Sequence, residues 1–351
     1  MRAMVLAAGV GSRLDPLTTQ IPKPLVPIAN RPVMEHIYGL LRQHGIISII
    51  SNLHYQPDKI KAYFGDGSRF GIDLSLRFEA ELSGDAGGVR ACRDFLADGT
   101  FLVLMGDLLT DADISAIVAQ HKAKRALATI AIKEVPDVRH FGVVVTDQEG
   151  FITGFQEKPS PEEALSNHAS TGIYVLEPAV FDYIPREGTY GFGRQLFPSL
   201  VQQGLPVLGV RIDQSYWSDV GTIYQYRQSN FDALSGLVRL DLPGVRGAWG
   251  HIEEGSTVAD DVEGDGILLV GKNSCLGSGV KITGRVLIGD NCLVQEGAQL
   301  HDTIIWSDSS VGPGASLSNC VVGSNCVVEN GSAHNEIASV SWPPPQLCNS
   351  I

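Results

Sequence analysis

The 25 residues from Ala8 to Pro32 hold the densest set of side chains that could do chemistry. They read Gly9-Val10-Gly11-Ser12-Arg13-Leu14-Asp15-Pro16-Leu17-Thr18, then Pro22-Lys23-Pro24, with no helical period. Glycines let backbone N–H groups approach an anion closely, and Arg13 and Lys23 add cationic donors, so the segment could cradle a phosphate. The two glycines alone would serve an ordinary turn equally well, and the third glycine of a dinucleotide-binding turn is missing. The length of the stretch speaks for function, because structureless runs of this size inside compact domains usually carry it. Two aspartates extend the set. Asp107, in Leu104-Met105-Gly106-Asp107, and Asp219, in Trp217-Ser218-Asp219-Val220-Gly221, each stand after apolar residues and close to glycine. From separate strand ends they could converge on magnesium, which prefers carboxylate and phosphate oxygens. Either one alone more commonly closes a turn or caps a helix. Glu157 and Lys158, before Pro159, add a carboxylate and an ammonium, whose plain alternative is a surface ion pair worth about 0–1 kcal/mol.

Two kinds of element must position these residues. Up to about residue 235, short apolar runs alternate with helical patterns. Ile46–Ile50, Leu74–Phe78, Phe101–Met105 and Leu127–Ile132 read as strands, and Met1–Gly9 as a buried first strand. Pro32–Gln43, Pro57–Phe64 and Ile114–Lys122 repeat apolar residues at helical spacing, with Gly45 placed to end the first. This alternation predicts a mainly parallel sheet covered on both faces, with ligands beyond the carboxyl ends of its strands. After about residue 250 the period changes. Ile252, Val258, Val270, Leu276, Ile282, Ile288, Val294 and Leu300 fall on one six-residue lattice, broken only at Gly264. The lattice slips by one and resumes at Ile305, Val311 and Leu317, then slips again to Val322 and Val328. One aliphatic residue in six, with turn-forming residues between, is the hexapeptide pattern of a parallel β-helix.

Composition excludes several classes. The chain of 351 residues carries 26 Lys and Arg against 39 Asp and Glu, a net charge of −13. From Asp241 onward there are 13 acidic and 4 basic residues, so the last third holds most of the excess. An acidic chain without a basic run is a poor ligand for nucleic acid or an anionic membrane. No apolar stretch reaches the length of a bilayer span. Six cysteines without a C-x-x-C pair predict free, mostly buried thiols in a cytoplasmic protein rather than disulfides or a zinc site.

In order along the chain, these motifs resemble those of the sugar-nucleotide pyrophosphorylases, which join a sugar 1-phosphate to a nucleoside triphosphate. The family signature G-x-G-[ST]-R-x-x-P-x-T…P-K-P runs from Gly9 to Pro24. Gly106-Asp107, Phe155-Gln156-Glu157-Lys158-Pro159, Gly172-Ile173-Tyr174 and Trp217-Ser218-Asp219-Val220-Gly221 match its later landmarks. The layout most resembles the mannose-1-phosphate guanylyltransferase type with a C-terminal left-handed β-helix. The expected fold class is α/β: a Rossmann-like, mainly parallel nucleotidyltransferase domain over 1–236, a hexapeptide-repeat left-handed β-helix over 250–332, and a tail over 333–351.

The resemblance implies attack of a sugar phosphate oxygen on the α-phosphorus of the triphosphate, with pyrophosphate leaving. The nucleophile is already an anion, so the reaction needs charge neutralisation and alignment rather than a base. By resemblance, Arg13 and Lys23 are the catalytic cations, and Ala8, Gly9, Gly11, Ser12, Glu79 and Gly84 hold the nucleotide. Glu157, Lys158, Thr171 and Gly172 hold the sugar phosphate, and Asp107 and Asp219 hold Mg2+. A carboxylate at Glu79 could accept both donors of guanine's Watson–Crick edge, which points to GTP and, with mannose 1-phosphate, to GDP-mannose. A glucose-1-phosphate nucleotidyltransferase using another NTP, or a catalytically weak regulatory sugar-nucleotide-binding subunit, are the alternatives. Two departures bear on the choice. Asp85 replaces the usual threonine and adds negative charge near the triphosphate, and Ser170 replaces an asparagine that would contact the sugar. Acyl transfer by the β-helix would need one of His251, His301 or His334, and no acyl-carrier signature accompanies them. Open coil edges predict a homo-oligomer joined through the β-helix.

Overall fold

The computed structural model describes residues 1–339. They divide into two compact units, Met1–Val10 with Met34–Trp217, and Gly11–Val33 with Ser218 onward. The Pro343–Pro345 run and Cys348 lie outside the described residues.

The first unit is built on a nine-stranded sheet. Arg2–Leu6 lies at its centre, parallel to Ser48–Leu53 on one side and to Phe101–Met105 on the other, with Asp73–Phe78 beyond Ser48–Leu53. Ala3, Met4 and Val5 are fully buried, as are Phe101 to Leu104, which is the two-faced burial that a parallel sheet imposes. Helix Val33–Gln43 sets Met34, Ile37, Tyr38 and Leu41 on one buried face and ends at Gly45, whose φ is 73°. Helix Pro57–Phe64 starts on its proline, and Ile114–Lys124 is capped by Asp113, whose carboxylate accepts the Ala116 N–H at 2.9 Å.

The other half of the sheet is antiparallel. His168–Leu176 runs against Phe101–Met105, Ala128–Glu134 and Gly142–Thr146, and Ile152–Glu157 runs against Gly142–Thr146. Val207–Arg211 joins Ala128–Glu134 in parallel. The parallel strands Arg2–Leu6 and Phe101–Met105 are near-continuous apolar runs and show in the sequence. Of the antiparallel strands, Ala128–Glu134 shows as the apolar run Leu127–Ile132, whereas no local period announces Gly142–Thr146 and Ile152–Glu157. Tyr174, Phe192 and Phe197 pack together with ring centroids 4.9–5.2 Å apart, and they anchor the segment Phe192–Leu196.

In the second unit the hexapeptide lattice becomes three columns of parallel strands. Ile252, Val270, Ile288, Ile305 and Val322 stack in register, as do Val258, Leu276, Val294, Val311 and Val328. The third column runs Gly264, Ile282, Leu300, Leu317 and His334. Three sites six apart make an 18-residue coil, and each one-residue slip in the sequence is a coil shortened to 17. The shortening falls at one corner, where His301-Asp302-Thr303 replaces Thr283-Gly284-Arg285-Val286. Asp302 there takes the left-handed conformation that Gly284 takes one coil earlier, with φ of 42° and 66°. Coil pairing continues through Ala338–Ser339, past the end at 332 placed by the lattice. Ser256, Ser274 and Ser309 form a polar column at another corner. The Ser274 hydroxyl donates to Gly289 O and accepts from Cys292 N. No disulfide joins the five cysteines among the described residues, and burial raises the thiols of Cys92 and Cys292, to about 12 and about 11.

Helix Ile223–Leu234 packs along strands Ile267–Val270 and Lys281–Ile288 of the coils. The Ala8–Pro32 stretch is not structureless: it folds as single turns at Ser12–Leu14, Leu17–Thr19 and Lys23–Leu25, then as a hairpin pairing Pro27–Ile28 with Arg31–Pro32. Leu14 and Leu17, fully buried, fix it.

Candidate active site

The first unit carries Ala8, Gly9, Glu79, Gly84, Asp107, Glu157, Lys158, Thr171 and Gly172. Asp107 is half-buried just past Phe101–Met105, a strand brought tight against Arg2–Leu6: the Gly106 N–H donates to Leu6 O at 2.8 Å, and a Cβ on Gly106 would stand 2.5 Å from that oxygen. Only glycine fits there, which explains the Gly106-Asp107 pairing. Gly172 has φ 77°, and its missing side chain accommodates Met105. Thr171 is buried and its hydroxyl donates to Ala131 O at 2.7 Å, while its carbonyl accepts from Trp217 Nε1 at 2.8 Å. Thr171 thus braces the register shift between Ser170 and Tyr174. Asn167 donates to Glu134 at 2.7 Å, and Ser170 pairs with Tyr174, so Asn167 is not turned to stand in for an asparagine at 170.

Glu79 is buried and heavily bonded. Its Oε1 accepts from Asn52 Nδ2 at 2.5 Å, and its Oε2 accepts from the Ser83 hydroxyl at 2.7 Å and the Ser83 N–H at 3.3 Å. Asn52 Oδ1 in turn accepts the Ala7 N–H at 2.9 Å. Gly88 permits this packing, since a Cβ there would stand 2.7 Å from Asn52 Nδ2 and 3.0 Å from Glu79 Oε1. Asn52 was not singled out by spacing. The polar pair Ser51-Asn52 set between apolar Ile49-Ile50 and Leu53 was its signal.

Gly84, with φ 81°, lies against the Tyr190 carbonyl, and the following helix Asp85–Ala91 begins there. Asp85 does not extend freely into solvent: its Oδ1 accepts from Ala86 N at 2.8 Å and Phe192 N at 2.7 Å. Burial raises the Asp85 pKa, opposed by those two N–H groups and by the Lys158 charge. Burial likewise raises Glu157, opposed by Lys158 and Arg194 and reinforced by Asp85. The Glu157 carboxylate rests on Gly193, where a Cβ would come within 2.2 Å of Oε2, and Lys158 Nζ lies 4.0 Å from Oε1. Asp85, Glu157, Lys158 and Arg194 therefore form one mixed-charge group. Gly193 and Arg194 were not found from the sequence, because they reach Glu157 only through folding.

The second unit carries Gly11, Ser12, Arg13, Lys23 and Asp219. Gly11 has φ 77°, and a Cβ there would stand 2.8 Å from the Lys23 Cβ, so the lysine stem lies over the glycine. Lys23 is buried, whereas Ser12 and Arg13 are exposed. The Thr18 hydroxyl, within 3.0 Å of Gly11 O and 2.8 Å of Asp15 Oδ1, ties the first turn to the second. Gly221 leaves a niche: a Cβ there would stand 3.1 Å from Asp219 Oδ2, 3.2 Å from Gln225 Oε1 and 3.3 Å from an Arg13 guanidinium nitrogen. Gln225 sits in the first turn of Ile223–Leu234, capped by Thr222, which accepts the Gln225 N–H at 3.2 Å.

Among the described residues, no three His, Cys, Asp or Glu side chains gather as a metal cage. Magnesium sites that serve phosphate chemistry use one or two carboxylates and draw the remaining oxygens from substrate and water. Asp107 in the first unit and Asp219 in the second each offer hard oxygens of the kind that donor set uses.

The Nucleotidyl transferase family model matches residues 2–236, and the GMPPB C-terminal domain model matches residues 265–341. The chain belongs to the nucleotidyl transferase family and is an enzyme of its sugar-1-phosphate class. It is 41% identical to a UTP–glucose-1-phosphate uridylyltransferase of Synechocystis sp., over 97% of this chain and 92% of that relative. It is 32% identical to a mannose-1-phosphate guanylyltransferase of Mycobacterium tuberculosis, over 85% and 82% of the two. A solved structure from Bacillus anthracis, assigned as a glucose-1-phosphate thymidylyltransferase, superposes with a TM-score of 0.61 at 27% identity, covering 69% of this chain and 97% of its own. No helix among the described residues is long and apolar enough to cross a membrane.

Proposed function

We propose that this enzyme transfers a uridylyl group from UTP to glucose 1-phosphate, forming UDP-glucose and pyrophosphate. The state of Glu79 carries the choice of nucleotide. A carboxylate has about four lone-pair positions, and the Asn52 amide and the Ser83 N–H and hydroxyl take up three of those on Glu79. One position is left, so guanine's two donors would have to displace at least one bond of a network that runs from Ser83 through Glu79 and Asn52 to the Ala7 N–H. The likeness to the Synechocystis uridylyltransferase over nearly the whole chain supports the same nucleotide and supplies the sugar. GTP with mannose 1-phosphate is the second reading, favoured by the match of the C-terminal coils to the GMPPB domain.

In this reading Arg13 meets the charge that develops on the α-phosphate and the leaving pyrophosphate. Lys23, its stem fixed over Gly11, binds the triphosphate. Lys158 binds the phosphate of the sugar 1-phosphate, and Glu157 contacts sugar hydroxyls. Asp107 and Asp219 would hold Mg2+, which when bound neutralises phosphate charge. The sugar phosphate needs no base, so the residues act by alignment and electrostatics. The active form is a homo-oligomer joined through the β-helix. The test is a matrix of four NTPs against glucose, mannose and N-acetylglucosamine 1-phosphates with magnesium, read by pyrophosphate release. UTP with glucose 1-phosphate should give the highest kcat/KM, and a higher value for GTP with mannose 1-phosphate would replace this reading by the second.

A further inference from the structure

The hairpin that closes the Arg13–Lys23 loop turns on Ala29 and Asn30, both left-handed, with φ of 48° and 63°. A two-residue turn of this hand favours Asn-Gly, and an alanine at its first position persists only where the surroundings hold it. Two asparagines do so. Asn230, 1% exposed, accepts the Ala29 N–H at 2.9 Å and donates its amide to Tyr226 O at 3.0 Å and Pro27 O at 3.4 Å. Asn30 Nδ2 donates at 2.7 Å to Ile288 O, a coil carbonyl that also receives the Gly271 N–H of the preceding coil. The helix that carries Asn230 is itself fastened to the coils. Trp306 Nε1 donates to the Tyr226 hydroxyl at 2.7 Å and Arg227 donates to Asn319 Oδ1 at 2.8 Å. The Arg285 guanidinium lies 4.4 Å from the Phe231 ring centre. From the hairpin back toward the cations the chain stays bonded: Val33 N to Val26 O at 3.0 Å, Val26 N to Lys23 O at 3.1 Å, and the Lys23 stem on Gly11.

We propose that Asn30 and Asn230 are positioning residues for the loop that bears Arg13 and Lys23, and that the β-helix governs turnover through them. The coils are then part of the catalytic apparatus. The proposal rests on the loop's role in nucleotidyl transfer and not on which nucleotide is used. Preorganised charge loses its effect when displaced, and a misplacement of about 1 Å can reduce a rate by about 100-fold.

Asn30→Gly tests this cleanly, because glycine keeps the left-handed turn and removes only the amide. Turnover is measured with the nucleotide and sugar phosphate that the wild type uses fastest. The expected result is a fall in kcat of about 10- to 100-fold, with both Michaelis constants nearly unchanged and the unfolding midpoint preserved. In an Arg13→Ala background the same substitution should lower kcat far less, since the positioned group is already gone. Hydrogen exchange reads the latch without turnover: amides of residues 11–26 should exchange faster in Asn30→Gly, and those of 48–53 should not. If Asn30→Gly fails to fold, Asn30→Asp, which keeps a turn-compatible residue but cannot donate to Ile288 O, carries the same readings. Wild-type kcat, an equal loss in both backgrounds, or unchanged exchange in 11–26 would overturn the proposal.

Discussion

Arg13 stands exposed at the head of its loop, beside the niche that Gly221 leaves open next to Asp219 and Gln225. Charge on the departing pyrophosphate grows in the transition state, so Arg13→Ala should act on kcat. Losing one such donor typically costs about 2.7–4 kcal/mol, roughly 100- to 1000-fold in rate, and steady-state kinetics will read it. Lys158→Ala should instead raise the Michaelis constant for the sugar phosphate more than that for the nucleotide. These residues were legible because their types recur at short, fixed spacings beside glycine or proline. Glu79 shows where that legibility stops. Its position could be read, but its state could not, because Asn52 lies 27 residues away and no local pattern encodes the bond. Asp85 is similar: read as charge near the triphosphate, it is engaged by the Phe192 N–H from across the fold.

Asp85 binds the start of its helix to the segment 190–193, and its raised pKa fixes the sign of a pH effect. A carboxyl whose pKa is raised by folding stabilises the native state in acid, and loses that contribution as pH rises through the folded value. Asp85→Asn keeps the accepting oxygen and removes the buried charge. The variant should therefore melt higher than wild type at pH 8, with the difference closing toward pH 4, in thermal unfolding followed by circular dichroism. In the coils, Ser274→Ala should strand Cys292 N and Gly289 O and destabilise by about 1–3 kcal/mol, measured by urea titration. At this scale the hexapeptide lattice was legible in detail, down to the slips that become 17-residue coils. The antiparallel strands Gly142–Thr146 and Ile152–Glu157 were not, because tertiary pairing and not period makes them strands.

Across the molecule, the family models meet the change of period, one ending at 236 and the other beginning at 265. The compact units follow packing instead, since residues 11–33 and 218–234 bond to the coils. Chain order alone could not show that, because hexapeptide spacing says which side chains point into the prism and nothing of what lies on its outside. Self-association through the β-helix predicts an oligomer in sedimentation velocity, and a monomer at all concentrations would contradict it. The central claim is uridylyl transfer to glucose 1-phosphate, and a competition experiment tests it most directly. The purified chain is given equimolar UTP, GTP, ATP and dTTP with glucose and mannose 1-phosphates and magnesium, and the sugar nucleotides are separated by chromatography and identified by mass. The account predicts UDP-glucose as the dominant product with matching pyrophosphate; dominant GDP-mannose, or no sugar nucleotide at all, would contradict it.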